Sequence, residues 1–474
     1  MTHSKADLRS FLEQVQQSGG SLRISKPVDP ATEVAALCSE TTRPLLLANI
    51  KGYPNFRIAD CLTRYRDTQA LALGIPGGPE AVIPGYVAKL AQGPSPTVAI
   101  DNAPIKQVIW TGDEARLSRL PIPVPSEGHD FPHLNLKKKD FHYPTISGGM
   151  GITRHPDGTQ NTFFTMAKVI DEKRIHFFML PGHTAQNVQA WADKGQRCPM
   201  ALVIGCHPAY EIGAAYTGPH PGFSELNLIS TILGDPVPTT RADTFDLEIP
   251  ALAEIVIEGF IDPDKAPYLH ASSHSDSYAP IISLEPFFDV TAITMRENPI
   301  YRHLQPTRFT EHHSLAEFIT IPPIFSMLQA KGLPVKDIHM PLRSCGNCAF
   351  IQMTANNPAE VREVMQTAMA NPMAPRLSVV VDEDVDIYNT DDVLFALSIR
   401  ANGSHSVESF DGTRGLPEPL TVFINSPEDI QMLPNNRWAI DATKPSLAEP
   451  LRRNEFVRLL ARGEGVVKLA DFMD

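Results

Sequence analysis

Late in the chain three valines run directly into carboxylates: Val379-Val380-Val381-Asp382-Glu383-Asp384-Val385-Asp386. A short continuous apolar run bounded by polar residues is the pattern of a strand buried on both faces. It is followed by Val393-Leu394-Phe395-Ala396-Leu397-Ser398-Ile399-Arg400, which reads as an apolar helical stretch with a basic end. Upstream, residues 349–353 read as a strand and 358–370 as a helix with Glu and Arg on its polar side. Alternation of this kind favours a parallel or mixed sheet flanked by helices, so the last segment is expected to be an α/β domain.

A chain of 474 residues exceeds a single typical core, and two or three domains are expected. The net charge of −13 excludes a general nucleic-acid surface, because a phosphate backbone needs a basic stripe. No run of about 18 apolar residues occurs, so no membrane span is expected. The first residues lack the apolar centre of a secretion signal. Six cysteines are too few for a disulfide scaffold, which makes a reducing cytoplasm the expected location.

Among the 43 prolines, clusters such as Pro121-Ile122-Pro123-Val124-Pro125 and Pro322-Pro323 read as rigid connections, because proline fixes φ and has no N–H to donate. Residues 1–115 read as an N-terminal α/β region. Leu8, Phe11, Leu12 and Val15 follow helical spacing before Gly19-Gly20, and residues 22–24 and 45–47 read as short strands. Residues 116–310 change character. Runs at 146–152, 162–169, 175–180 and 201–205 are β-prone, with a hairpin signal at Asp157-Gly158. Closely spaced strands with Gly-rich turns suggest a barrel-like or sandwich module. Residues 311–330 read as a helical connection broken by Pro322-Pro323, and 331–474 as the C-terminal α/β domain.

Several stretches, in this order, resemble the UbiD-like family of prenylated-FMN-dependent decarboxylases. They are Leu8-Arg9-Ser10-Phe11-Leu12, Val28-Asp29-Pro30, Lys51-Gly52-Tyr53, Gly151-Ile152-Thr153-Arg154-His155-Pro156-Asp157-Gly158 leading to Asn161, Ala201-Leu202-Val203-Ile204-Gly205, Ala253-Glu254-Ile255-Val256-Ile257-Glu258-Gly259 and Ile440-Asp441-Ala442-Thr443-Lys444-Pro445. The resemblance implies a mixed α/β (α+β) fold: the N-terminal region, a split β-barrel that binds the flavin, a linker helix and the C-terminal α/β domain. It also implies prenylated FMN with a divalent metal (Mn2+ or Fe2+) and K+. A flavin prenyltransferase would supply the cofactor. A homo-oligomer, dimer or hexamer, is implied too.

The family holds its metal with Asn, His and Glu, and the matching positions are Asn161, His183 and Glu225. A hard cation with O and N ligands can bridge protein and phosphate. Taken singly, Asn161 also reads as a residue after a hairpin, His183 as a loop residue after Pro181-Gly182, and Glu225 as a helix cap. By the same resemblance Asn161, Thr162, Phe163, Phe164, Thr165 and Met166 line the cofactor. Backbone carbonyls of the loop 214–219 would hold the monovalent ion.

The family's acid-base network is missing. Its Arg falls on Met166, and its two acidic positions fall on Tyr268 and Ser273 in the segment 268–276. Met166 offers an apolar, polarizable surface in place of a carboxylate clamp. His270, His274, Tyr268 and Asp276 remain as proton donors, with Lys168 farther off. Histidine exchanges protons near neutral pH, which favours His270 or His274 without deciding between them.

Other signals point less directly. Cys345-Gly346-Asn347-Cys348 is either a thiol or zinc pair or simply a strand entry. Lys137-Lys138-Lys139 is a solvated turn or a contact for phosphates such as those of coenzyme A, with Phe141 and Tyr143 nearby. The expected function is non-oxidative decarboxylation of an aromatic acid, an aryl-CoA acid such as phthaloyl-CoA first. A phenylphosphate-carboxylase-like subunit is the second reading. A non-catalytic flavin-binding or assembly subunit is the competing class.

Overall fold

The computed structural model describes residues 5–132, 135–179, 182–216, 224–269, 282–306, 310–355, 357–414, 434–463 and 466–473. In chain order the strands are β1 (Leu22–Ile24), β2 (Leu45–Leu47), β3 (Arg57–Asp60), β4 (Val98–Ala99), β5 (Val108–Thr111), β6 (Thr145–Arg154), β7 (Gln160–Val169), β8 (Arg174–Phe177), β9 (Cys198–Ile204), β10 (Pro238–Arg241), β11 (Glu248–Pro250), β12 (Ile255–Leu269), β13 (Ile282–Met295), β14 (Ile300–Arg302), β15 (Val335–His339), β16 (Cys348–Met353), β17 (Leu377–Asp382), β18 (Val407–Arg414) and β19 (Pro434–Ala442).

Among the described residues they form four sheets. The first has the order β1-β2-β3-β14, so the chain returns to its N-terminal sheet after crossing the middle segment. A small sheet, β11-β10-β4, lies beside the largest. The largest runs β12-β9-β6-β7-β8-β13, and β12 pairs again with β13, which closes six antiparallel strands into a barrel. Strand β5 extends it along β13. Closure removes the exposed edges that an open sheet of this size would carry. Ile146, Ala167, Ile175, Phe177, Leu202, Ile257 and Phe288 fill the interior. Gly151 is required there: a Cβ would stand 2.3 Å from the Phe163 ring on the paired strand.

The C-terminal sheet is mixed, β15-β16-β17-β19-β18, with β16, β17 and β19 parallel. Strand β17, carrying the three valines, is its centre. The acidic run that follows anchors the domain: Asp382 accepts from Lys444 N and pairs with Arg453, while Arg400 and Lys444 converge on Asp384 at 2.8 and 2.7 Å. The helix Thr390–Arg400 buries only Val393 and Ala396, leaving Leu394, Phe395 and Ile399 exposed.

One expectation fails here. The helix Glu311–Ala330 runs unbroken through Pro322 and Pro323. Neither proline can donate to the carbonyl four residues back, a loss of about 3 kcal/mol or more in a helix interior. Burial offsets it. Phe318, Ile321, Ile324, Phe325 and Leu328 all enter one core shared with the C-terminal sheet, at about 1.5–3 kcal/mol each. Among the described residues no helix is long and apolar enough to cross a membrane.

Candidate active site

Strand β7 carries residues 161–166, and its side chains alternate between two faces. Phe163 and Ala167 belong to the barrel interior. Thr162, Phe164, Met166 and Lys168 therefore face outward. Phe164 packs against the core beneath the linker helix, its ring 5.9 Å from that of His312.

At the Asn161 end, three elements meet. The Asn161 amide donates to Thr184 Oγ1 at 2.8 Å, next to His183, the first residue of the helix His183–Ala192. The backbone N–H of Thr162 donates to Glu225 Oε2 at 2.5 Å. Glu225 opens the helix Glu225–Leu233, whose cap is Ser224. Asn161 and Glu225 are both buried. Two helix starts, at His183 and Glu225, thus meet one end of β7. Among the described residues no three His, Cys, Asp or Glu side chains form a metal cluster. His183 and Glu225 are two such side chains, and the Asn161 amide oxygen would be the third donor. Thr162 Oγ1 is buried without a hydrogen-bond partner among the described residues. An orphaned hydroxyl between Asn161 and the Glu225 contact fits a polar group that binds here.

The other end of the face holds a different cluster. The register places Lys168 opposite His176, His176 opposite Phe287, Ala266 opposite Glu285 and Tyr268 opposite Ser283. His176 stacks on Phe287 at 4.3 Å and meets Tyr268 edge-on at 5.0 Å. Glu285 is only 4% exposed and accepts from Met179 N at 2.9 Å. Burial pushes its carboxyl up to about 7, against the opposing bonds from Ser283 and Met179. Burial also holds His176 below its ordinary range, so the ring is neutral at pH 7. The Lys168 ammonium lies 3.8 Å from the centre of the Tyr143 ring, and burial lowers its pKa as well. Tyr143 donates in turn to Leu269 O.

Tyr268 requires a correction. It does not stand in a loop but in β12, one residue before its end, 2% exposed, with burial pushing its hydroxyl well above the usual tyrosine range. His270, His274 and Asp276 lie outside the described residues, as do Ser273 and positions 217–219 of the loop 214–219. Glu285 and His176 were not among the candidates the sequence offered. The signal was there: Ser283, Glu285 and Phe287 share one face of a strand whose other face carries Leu284 and Phe288.

The remaining candidates sit elsewhere. Burial pushes the Cys348 thiol up to about 12, the opposite of the lowered pKa that a redox pair needs. Lys137 and Lys139 are exposed, and Lys138 pairs with Glu127.

Family models match most of the chain. The N-terminal domain of 3-octaprenyl-4-hydroxybenzoate carboxy-lyase matches residues 12–81, its Rift-related domain 97–308 and its C-terminal domain 313–442. A barrel with these flanking domains defines a carboxy-lyase class, and the chain belongs to the UbiD family of prenylated-FMN-dependent decarboxylases. Among solved structures, the UbiD-class enzyme HmfF from Pelotomaculum thermopropionicum in complex with FMN is 26% identical, with a TM-score of 0.85 over 98% of this chain and 100% of that one. An evolved dimeric form of HmfF in complex with prFMN is also 26% identical, with a TM-score of 0.82 and the same coverage. Apo 3,4-dihydroxybenzoic acid decarboxylase (AroY) from Klebsiella pneumoniae, 24% identical with a TM-score of 0.82 over 98% and 99% of the two chains, shares the fold.

Proposed function

We propose that this chain is a non-oxidative decarboxylase of an aromatic acid presented as a coenzyme A thioester, with phthaloyl-CoA as the specific candidate. The observation that carries the reading is the outward face of β7. It offers Phe164 and the buried Met166 where a free carboxylate would need a cation. A thioester withdraws electrons from the ring, and binding of the remote CoA portion positions the reacting carbon without an arginine clamp.

Bound at this face, prenylated FMN supplies the electrophilic carbon that makes loss of carbon dioxide from an aromatic ring feasible. The chain's own residues hold and orient. Asn161, His183 and Glu225 would hold a divalent metal, Mn2+ or Fe2+, at the phosphate end. Thr162 through Met166 would line the ring system, and carbonyls of the loop 214–219 would hold K+. Phe164 and Met166 exclude water from the reacting carbon. The exposed Lys137 and Lys139 are suited to the CoA phosphates. The same short stretch leads through the buried Phe141 to Tyr143, which contacts Lys168 and the end of β12.

Assembly as a homo-oligomer is part of the proposal. Leu451, Val457, Leu459, Leu460, Leu469 and Phe472 are exposed on the C-terminal stretch, apolar side chains that a second copy would cover.

The test is reconstitution. The chain is co-expressed with a flavin prenyltransferase, purified without oxygen, and its absorbance and metal content are recorded. The expected result is a bound modified flavin with a divalent metal. Protein that carries neither sinks the reading.

A further inference from the structure

We propose that the carboxyl group of Glu285 is the acid that protonates the ring carbon after carbon dioxide leaves, with His176 and Tyr268 as its positioning residues. The inference rests on the decarboxylase reading above and deepens it.

Geometry carries it. Glu285 lies on the same outward face of the barrel as Met166 and Lys168, linked through the register pairs Lys168–His176 and His176–Phe287. The backbone N–H of Met179 fixes its Oε2 at 2.9 Å. Met179 is four residues before His183, so the acid and the proposed metal end are joined by one short stretch of backbone. His176 Nε2 and the Glu285 carbonyl oxygen are 2.9 Å apart, which makes Nε2 the protonated ring nitrogen. That proton is committed to the backbone. The ring packs against Phe287 and Tyr268, and its bond to the Glu285 carbonyl fixes the backbone that carries the carboxyl. Among the described residues, the other titratable or charged groups facing this cluster are Lys265 and Tyr268 on β12, Lys168 on β7, Arg174 on β8, and Tyr143.

Burial holds the Glu285 carboxyl protonated up to about pH 7. A carboxylic acid kept neutral near the working pH has a proton to give, which a surface glutamate lacks. The step balances. The bond from ring carbon to carboxylate breaks, and its electron pair stays on the ring carbon. The O–H proton of Glu285 moves to that carbon, and carbon dioxide departs. The Glu285 carboxylate then regains a proton from water.

The experiment uses the holoenzyme loaded with flavin and metal. Glu285→Gln keeps the hydrogen-bond shape and removes the acid. It is expected to retain flavin absorbance and metal while kcat falls about 100-fold or more at every pH. Glu285→Asp is expected to recover part of that loss. Wild-type kcat is expected to be flat below about pH 7 and to fall tenfold per unit above it, following the acid form. In parallel, infrared difference spectra of wild type between pH 5.5 and 8.5 (about one and a half units either side of that value) should show a protonated carboxyl band that Glu285→Gln lacks. A Glu285→Gln enzyme within threefold of wild-type kcat with the same pH profile overturns the proposal, and so does an infrared band unchanged by the substitution. If wild type binds flavin yet turns over no acid, the decarboxylase reading fails on its own, and the infrared arm still decides the protonation of Glu285. If Glu285→Gln does not fold, Glu285→Asp and the wild-type band carry the decision.

Discussion

The Glu225 carboxylate accepts the backbone N–H of Thr162 at 2.5 Å, tying the start of one helix to the barrel strand that carries Asn161. This contact uses Oε2, and the proposed metal would draw on the negative charge of the same carboxylate. Glu225→Gln is therefore expected to fold and to keep the backbone contact while losing the negative charge. Metal analysis of the anaerobically purified variant should show at least tenfold less divalent metal than wild type. Unchanged metal content would remove Glu225 from the proposed ligand set.

A second buried carboxylate joins three parts of the chain. Glu317 of the linker helix receives Arg66 through bonds of 3.0 and 2.6 Å, His339 at 3.1 Å and the N–H of Met340 at 2.9 Å. Burial alone raises its pKa, but Arg66 and His339 outweigh it and hold the carboxyl down to about 2. A lowered acid pKa gives stability that is complete above the ordinary value of 4.5 and lost as pH falls toward 2. Glu317→Gln removes the hydrogen-bonded counter-charge of the buried Arg66 and leaves it only the pull of Asp337, a loss of about 3 kcal/mol. Urea unfolding at pH 7 measures it; a loss under 1 kcal/mol contradicts the assignment.

Glu285 has the opposite sign. Its folded-state pKa of about 7 stands above the ordinary 4.5, so the folded chain binds the extra proton between these values. Stability from this group is complete below pH 4.5 and is lost as pH rises through 7. Urea midpoints should therefore fall from pH 5 to pH 8 more steeply for wild type than for Glu285→Gln. Parallel slopes would place the titration elsewhere.

The two exposed lysines test the thioester. Lys137→Glu with Lys139→Glu is expected to raise KM for an aryl-CoA acid about tenfold, with kcat within a factor of two, because in the proposal they would contact a part of the substrate remote from the chemistry. Added salt should shrink the difference. A changed kcat with unchanged KM would place them in another role.

The fold was largely legible because its strongest signals are periodic. The valines of β17 and the helix Pro358–Ala370 stand where their patterns place them. The barrel followed from closely spaced β-runs and one hairpin signal, although pattern alone left sandwich and barrel open; the β12–β13 pairing settles it. Pro322 and Pro323 misled because the loss of a donor is local, while burial of Phe318, Ile321 and Phe325 is tertiary. The candidate site was legible only as separate positions. Asn161 and Glu225 are joined through Thr162, and His183 through Thr184. Glu285 stayed hidden because a lone carboxylate in an apolar strand shows its worth only when the neighbouring strand supplies the Met179 N–H and the His176 ring. Tyr268 was placed in a loop because the resemblance sets it at the first position of the family's acidic loop, whereas β12 continues through Ala266 and Pro267 to Leu269.

The most direct measurement is carbon dioxide release by the flavin- and metal-loaded enzyme, with phthaloyl-CoA and free phthalate compared under identical anaerobic conditions. The account predicts release from the thioester and none above background from the free acid. Release from free aromatic acids alone, or from neither compound by enzyme that demonstrably carries its flavin, would contradict it.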